Sequence, residues 1–136
     1  MKLDLLYQLN SKVTRVSNFG ETADGPRADV YLEGEVKGKV SGRFQGVDYG
    51  LSRVSGNSGN SGMVVIHVHE TIDTADGHVS VLRRGYAIPS DGGFKVKSVC
   101  LFQTSSPKLE FLNSTIGLAE GYADDKKVEL TVFEVV

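Results

Sequence analysis

Hydrophobic and polar residues alternate with a period of two along almost the whole chain. Between residues 28 and 36, for example, Val30 and Leu32 alternate with Asp29, Tyr31 and Glu33. Successive side chains of a β-strand point to opposite faces, so this pattern predicts a strand with one face in a core. It recurs at residues 2–16, 28–36, 43–53, 63–73, 79–88, 94–104, 115–123 and 127–135. The sequence therefore predicts an all-β protein in which residues 109–114 could form a helical turn.

The glycines fall into two groups, and the second group favours a closed sheet. One group lies at turns, in the run SGNSGNSG at residues 55–62 and in the pair Asp76-Gly77, which favours a two-residue type I′ turn. The other group lies inside or beside the predicted strands, where glycine permits a sheet to bend. Its members are Gly34, Gly38, Gly42, Gly46, Gly50, Gly85, Gly117 and Gly121. Because closure also removes exposed strand edges, we expect one domain over residues 1–136, a single antiparallel β-barrel of about eight to ten short strands.

Composition excludes several classes of function. The chain has 136 residues, near the modal size of one domain. Fifteen basic and 17 acidic side chains give a net charge of -2, which argues against a nucleic-acid partner or a membrane-surface patch. No apolar run approaches the roughly 20 residues of a membrane-spanning helix, and Asp4 interrupts the apolar stretch that a signal peptide needs. With Cys100 as its single cysteine, the chain has no internal disulfide, and we expect a cytoplasmic location.

Two hairpin registers predict which polar residues lie together. A turn at Asp76-Gly77 places Glu70 opposite Arg83, so that the acid on the apolar face meets a base, and on the other face it pairs His69 with Arg84 and His67 with Tyr86. Across the longer loop at residues 55–62, apolar faces match best when Asp48 lies opposite His69.

The two registers together place five polar side chains on one face of one sheet: Asp48, His67, His69, Arg84 and Tyr86. A carboxylate beside an imidazole raises its pKa and selects its tautomer, while an arginine and a phenol supply hydrogen-bond donors. We therefore predict catalytic roles for the acid and the two histidines, and ligand binding by the other two. The alternative, which the sequence weighs equally, is that the apolar face lines the barrel and this polar face meets water.

A metal site is a weaker interpretation of the same residues. The segment His67-Val68-His69 resembles the start of a cupin metal motif, and Asp48 would complete a set of two histidines and one carboxylate. The glutamate that cupins carry three or four residues later is missing, and Arg84 beside the histidines would repel a cation. We therefore assign no metal and no cofactor, and a cupin-like metal-dependent enzyme remains the lesser alternative.

For two further residues, a functional role is weighed against a structural one. Cys100 lies in the apolar segment 99–102 and is interpreted as a small buried hydrophobe, since no neighbouring base would lower its pKa. Glu120 and Tyr122 share a parity with Ile116 and Leu118, so Tyr122 could project inward and contact a ligand. Packing is the default interpretation of Tyr122.

Several short phrases, in order over about residues 20–136, resemble the family called domain of unknown function 3237. They are Gly25-Pro26-Arg27, Leu32-Glu33-Gly34-Glu35-Val36 leading to Gly46-Val47-Asp48-Tyr49, Glu70-Thr71-Ile72 before Asp76-Gly77, Phe102-Gln103-Thr104 before Leu112-Asn113-Ser114-Thr115, and the terminal Phe133-Glu134-Val135. The resemblance implies a barrel like that of allene oxide cyclases, some of which bind hydrophobic ligands or steer cyclisations. It also implies polar groups at Asp48, His67, His69 and Asn113, although members carry Asp and Arg more often than His at positions 67 and 69.

Taken together, these patterns lead to two hypotheses of different classes. The first is a barrel whose lumen binds a small, partly apolar organic molecule through the five polar residues, with Asn113 and Tyr122 as further ligand contacts. Such a site could support lyase, isomerase or cyclase chemistry by an acid-base pair. The second is a non-catalytic, oligomeric or ligand-carrying module whose histidines lie on the surface. Either could form a homo-oligomer.

Overall fold

A computed structural model describes residues 1–23, 25–49 and 62–136, together with the backbone of residues 52–53. Its strands are β1 (Leu3–Thr22), β2 (Gly25–Gly38), β3 (Gly42–Asp48), β4 (Ser52–Arg53), β5 (Val64–Thr74), β6 (Gly77–Ser90), β7 (Gly93–Gln103), β8 (Ile116–Ala123) and β9 (Lys127–Val135). A 3₁₀ helix over Pro107–Ser114 joins β7 to β8, at the predicted helical turn. None of the helical structure in the described ranges is long and apolar enough to cross a membrane.

Within the described ranges, eight of these strands form a closed antiparallel barrel. The sheet runs in the order β3-β2-β1-β9-β8-β7-β6-β5-β4, and β3 also pairs with β5, which closes it. The two-residue β4 continues along the β5 edge beyond β3. The all-β class and the antiparallel barrel are confirmed. The predicted loop at residues 55–62 lies outside the described residues except for Gly62.

The apolar face of each strand lines the interior. On β5, Ile66, Val68 and Ile72 are at most 5% exposed, whereas His69, which points to the other side, is exposed. This is the alternation that the sequence predicted, and it settles which face is which: the polar face of β5 and β6 is the outer face. The core continues to the far side of the barrel, where Tyr7 of β1 packs edge-on against a phenylalanine of β7, with 6.4 Å between ring centroids.

Glycines inside strands lie where neighbouring strands approach too closely for a side chain. A Cβ on Gly34 would collide with the backbone of Asn10 and Ser11, and one on Gly85 would collide with the backbone of Lys97 and Ser98. Gly121 meets the backbone of β9 in the same way. These positions support the prediction that strand glycines permit the sheet to curl.

The β5–β6 turn differs from its prediction by two residues of register. Thr74 pairs with Gly77, so the turn residues are Ala75 and Asp76 instead of Asp76 and Gly77. The Thr74 hydroxyl stabilises this turn because it accepts from the Asp76 amide at 3.0 Å and donates to the Gly77 carbonyl at 2.8 Å. A shift of two keeps every side chain on its predicted face, so the correction changes partners but not sides.

The β3–β5 register differs by one residue, and this correction has a larger effect. Asp48 pairs with Val68, not with His69, and therefore points into the barrel. The observed register places Phe44, which is 1% exposed, opposite Ile72 in the core. The long loop between β3 and β5 imposes no register of its own, so core packing of Phe44 selects it.

Candidate functional site

A cavity of about 250 Å³ lies inside the barrel. Most of its wall is aliphatic or aromatic, including Val30, Val64, Ile66 and Phe94. Among the described residues that line it, three carry charge: Asp48, Arg83 and Asp124. An eight-stranded barrel has an interior that is either filled by side chains or just wide enough for one small ligand, so this cavity is the candidate site.

A buried ion pair contributes one of its partners, Arg83, to the wall of the cavity. Arg83 Nε donates to Glu70 Oε2 at 2.8 Å, with both side chains at most 3% exposed, and Arg83 Nη1 donates to Ser98 Oγ at 3.3 Å. Burial raises the pKa of Glu70, although Arg83 opposes this effect. Burial is the largest single effect on Arg83 and acts against its charge, but the attraction of Glu70, Cys100 and Asp48 together outweighs it, so the pKa of Arg83 lies above its ordinary value. The guanidinium is thus held charged inside the barrel.

Two polar atoms near this pair have no hydrogen-bond partner within the described part of the chain. They are Glu70 Oε1 and the Tyr7 hydroxyl, and both are buried. Burial raises the pKa of Tyr7 well above its usual range, so the phenol stays neutral. Gly46 lies opposite Glu70 on β3, and a Cβ there would meet the ring of Phe44 at 3.0 Å.

Asp48 carries the second carboxylate of the interior. Its Oδ1 accepts a hydrogen bond from the backbone amide of His67 at 3.3 Å, and its charge adds to those that raise the pKa of Arg83. Asp124, in the turn between β8 and β9, accepts the amides of Lys126 and Lys127 at 2.8 and 2.9 Å, and these bonds lower the pKa of Asp124. In the described part of the cavity wall, two carboxylates therefore lie beside one guanidinium.

The two histidines predicted as catalytic lie on the outer face of the barrel. His67 and His69 pack around Tyr49, with ring centroids 5.0 and 4.9 Å from the tyrosine ring. Desolvation lowers the pKa of His67, and the positive charge of Arg84 on the neighbouring strand lowers it further. The expected single cluster is therefore wrong in its geometry: the structure separates Asp48 from the imidazoles by the thickness of the sheet.

Arg84 and Tyr86, predicted as ligand contacts, line a different concavity. They border an open groove of about 790 Å³ on the outer surface of the barrel, together with Val99 and Leu118. This groove is larger than the lumen but is spread over the outside of the sheet. We place the candidate site in the lumen because it is more enclosed and contains buried charges.

Asn113 and Tyr122 also lie away from the cavity wall. The Asn113 amide is hydrogen-bonded on both sides to Thr104, accepting from its amide at 2.8 Å and donating to its carbonyl at 3.0 Å, so it ties the 3₁₀ helix to the end of β7. Tyr122 pairs with Glu129 and lies over Gly93, in the outward-facing row of β8. The inward projection expected for Tyr122 is wrong because the buried residues of this strand, Gly117 and Ala119, have the opposite parity.

Metal ligation finds no geometric support in the residues that the structure describes. They include no group of three or more His, Cys, Asp or Glu side chains that could hold a metal ion. Cys100 is fully buried, and burial raises the pKa of its thiol to about 12, as expected for a small hydrophobe.

Glu70 and Arg83 are the interior residues that the sequence did not assign to a site. The available signal was their position, since each is a charged residue on the apolar face of a strand. The predicted hairpin paired them, but as a cross-strand contact rather than as part of a cavity wall.

Comparison with known proteins shows the fold. No family model matches the chain, and no curated protein matches it. Among solved structures, a beta-barrel-like protein from Acinetobacter baumannii AYE matches with a TM-score of 0.83 and 23% identity over 98% of this chain and 94% of its own. A conserved protein of unknown function from Rhodopseudomonas palustris matches with a TM-score of 0.78 and 20% identity over 100% of this chain and 99% of its own. An enzyme from Penicillium herquei matches with a TM-score of 0.67 and 18% identity over 99% of this chain and 94% of its own. The chain therefore has the fold of small β-barrel proteins whose functions are largely unknown.

Proposed function

We propose that the protein binds a small, mostly apolar organic molecule in the lumen of the barrel. The observation that carries the proposal is the enclosed apolar cavity with the Asp48 carboxylate in its wall. Apolar side chains would contact the body of the ligand, and the carboxylate would accept a hydrogen bond from one polar group on it. A pocket of this composition is the usual form of a small-molecule site.

The volume of the cavity limits the size of the ligand. An apolar cavity of about 150 Å³ accommodates benzene. The lumen holds about 250 Å³, so it suits a molecule of one or two rings, roughly ten to twelve non-hydrogen atoms by comparison with benzene.

The charges in the cavity wall are the basis for proposing a chemical class of ligand. Asp48 and Asp124 place two carboxylates in the described part of the wall, beside the Arg83 guanidinium that is paired with Glu70 at 2.8 Å. A hydroxyl or an amine on the ligand would find an acceptor in these carboxylates. We therefore propose a ligand that donates a hydrogen bond.

A catalytic role would rest on Asp48 alone rather than on a histidine-aspartate pair. Its carboxylate could take a proton from the hydroxyl or amine of the ligand, in the way a general base does in an isomerisation or cyclisation. That the barrel from Penicillium herquei is an enzyme supports the capacity of the fold for catalysis. A carrier without chemistry is the second candidate, favoured by the position of His67 and His69 on the outer face.

The resemblance to the domain of unknown function 3237 family supports the same proposal. We propose membership in that family on the sequence phrases between Gly25 and Val135. Barrels related to it in fold include proteins that bind hydrophobic ligands.

Three indoles that differ in charge test the proposal. Tryptamine is cationic, 3-methylindole is neutral and indole-3-acetate is anionic, while the ring is the same. We expect isothermal titration calorimetry to show the weakest binding for the third, because its carboxylate can accept hydrogen bonds but cannot donate one. Asp48→Asn should weaken tryptamine binding at least about tenfold, because a charge-assisted hydrogen bond contributes roughly 1.5–3 kcal/mol, and should change 3-methylindole less than about twofold.

Tyr86→Ser is the matched control. Tyr86 is 50% exposed on the outer groove and does not line the lumen. Binding should therefore survive this substitution. If Tyr86→Ser abolished binding while Asp48→Asn left it intact, or if indole-3-acetate bound best, the lumen proposal would be wrong.

A further inference from the structure

The outer surface of the barrel is polar on one side and apolar on the other. Across β1, β2 and β3, one outward-facing row consists of Lys12, Glu33 and Gln45. Across β7, β8 and β9, the corresponding outward row consists of Val99, Leu118 and Phe133. Outward-facing positions of a barrel in water are normally polar, so the second row needs a physical explanation.

The apolar residues form one continuous area. Leu5 pairs with Phe133 and extends the row of Val99 onto β1, while Leu101 pairs with Ile116 in the adjacent row. We call this area the apolar outer face, and its most exposed members are Leu3, Leu5, Tyr86, Val99, Leu101 and Ile116. Each of these is between 45% and 52% exposed.

The area lies near the upper limit for an ordinary monomer surface. Aromatic side chains bury roughly 150–250 Å² each and aliphatic ones less, so six half-exposed side chains present on the order of 500 Å². That lies in the upper part of the range for the largest apolar patch on a typical monomer, about 300–600 Å². With the less exposed Leu118 and Phe133 and the polar rim, it approaches the ~800 Å² that each partner buries in a stable interface.

We propose that this chain forms a symmetric homodimer through the apolar outer face. The composition matches a dimer interface, since the centre of the face is aliphatic and aromatic with few charges. A twofold axis brings the same patch of each copy together, so the requirement is a surface that complements itself.

The charges on this face meet that requirement. Lys97 and Glu120 are directly paired positions on β7 and β8, at the border of the groove. Within the described part of the chain, neither forms an ion pair. When two copies face each other across a twofold axis, Lys97 of each copy can approach Glu120 of the other, and this requires a cation and an anion side by side on the face. A partner surface with charges of only one sign would leave either Lys97 or Glu120 without an opposite charge.

Sedimentation velocity of the full chain between about 1 and 100 μM tests the proposal. The wild-type protein should sediment as a dimer. Leu101→Lys places a charge within the face and should raise the dimer dissociation constant at least about tenfold, with an unchanged far-UV circular dichroism spectrum. Ile116→Lys, on the next strand, should have the same effect and guards against a misfolded variant.

Gln45→Lys is the matched control, because it adds the same charge to an exposed position of the polar outer face. It should remain dimeric. The proposal is overturned if the wild-type chain is monomeric throughout the range, if Leu101→Lys and Ile116→Lys are both as dimeric as Gln45→Lys, or if a monomer instead sediments with phosphatidylcholine vesicles, which would assign the face to a lipid surface.

Discussion

Glu70 and Arg83 form an ion pair inside a barrel whose other interior side chains are largely apolar. Such a pair contributes little net stability, because the cost of removing both charges from water offsets their attraction. Its consequence here is electrostatic: Glu70 holds the guanidinium of Arg83 charged inside the barrel, where Arg83 also donates to Ser98. The cavity wall therefore places this cation near the Asp48 carboxylate.

Cys100 gives a test of interior burial at the scale of one residue. Its thiol is fully buried, and burial followed by the charge of Glu70 raises the pKa of Cys100 from 9.0 to about 12. Alkylation by iodoacetamide at pH 8 should therefore be at least about a hundredfold slower in the native protein than in guanidinium chloride, because the thiolate is the reactive form.

The same shift predicts a pH dependence of stability. Above pH 9 the unfolded chain releases the thiol proton while the folded chain keeps it up to about pH 12. The folded state then binds more protons, so the free energy of unfolding decreases as pH rises through this window and is unaffected by this group below it. Urea denaturation should show that the free energy of unfolding falls less between pH 9 and 10 in Cys100→Ala than in the wild type. Equal losses would contradict the assigned burial.

At the scale of the strands, close approach of backbones decides where the barrel bends. Gly34 and Gly85 occupy positions where a Cβ would enter the backbone of the adjacent strand. A substitution there must push two hydrogen-bonded strands apart, which side-chain rotation cannot relieve. These glycines are therefore part of the closure mechanism and not merely breaks between strands.

Gly85→Ala should lower the free energy of unfolding by at least about 2 kcal/mol, as expected for overpacking that displaces backbone. Gly92→Ala is the comparison, because Gly92 has a φ of +81° in the β6–β7 turn but a Cβ added there would meet nothing within 4 Å. The left-handed backbone conformation should lower the free energy of unfolding of Gly92→Ala by about 1 kcal/mol. Urea denaturation of both variants measures the difference, and a Gly85→Ala variant no less stable than Gly92→Ala would refute the role of close approach.

At the scale of the whole molecule, the barrel presents two independent surfaces. The lumen contains Asp48, and the apolar outer face contains Leu101 on the opposite side of the β-sheet layer. Asp48→Asn should therefore leave the dimer dissociation constant unchanged within about twofold, and Leu101→Lys should leave tryptamine affinity unchanged within the same range, as expected for distant sites that share no partners. Sedimentation and calorimetry on both variants check this. Loss of both properties in either variant would show that ligand binding and assembly are coupled.

The two hairpin registers show how far a sequence pattern determines such a site. The β5–β6 turn moved by two residues, which preserved the faces, so Glu70 and Arg83 still meet as predicted although they are no longer directly opposite. The β3–β5 pairing moved by one residue, which turned Asp48 from the outer face to the lumen. Because side chains alternate with a period of two, a register shift by an odd number of residues moves every side chain to the other face, whereas an even shift changes only the pairing partners.

The sequence by itself determined the all-β class, the closed antiparallel barrel and the bending role of the strand glycines, because period-two burial and glycine geometry are local properties. It placed Ile66, Val68 and Ile72 on one face but left open whether that face lines the interior. Only the tertiary structure decided that Asp48 faces the lumen while His67 and His69 face outward. The physical reason is that a long loop imposes no register, so packing of Phe44 against the distant core selects the pairing of β3 with β5. Tertiary structure likewise joined apolar residues from both ends of the chain, such as Leu5, Val99 and Phe133, into one outer face.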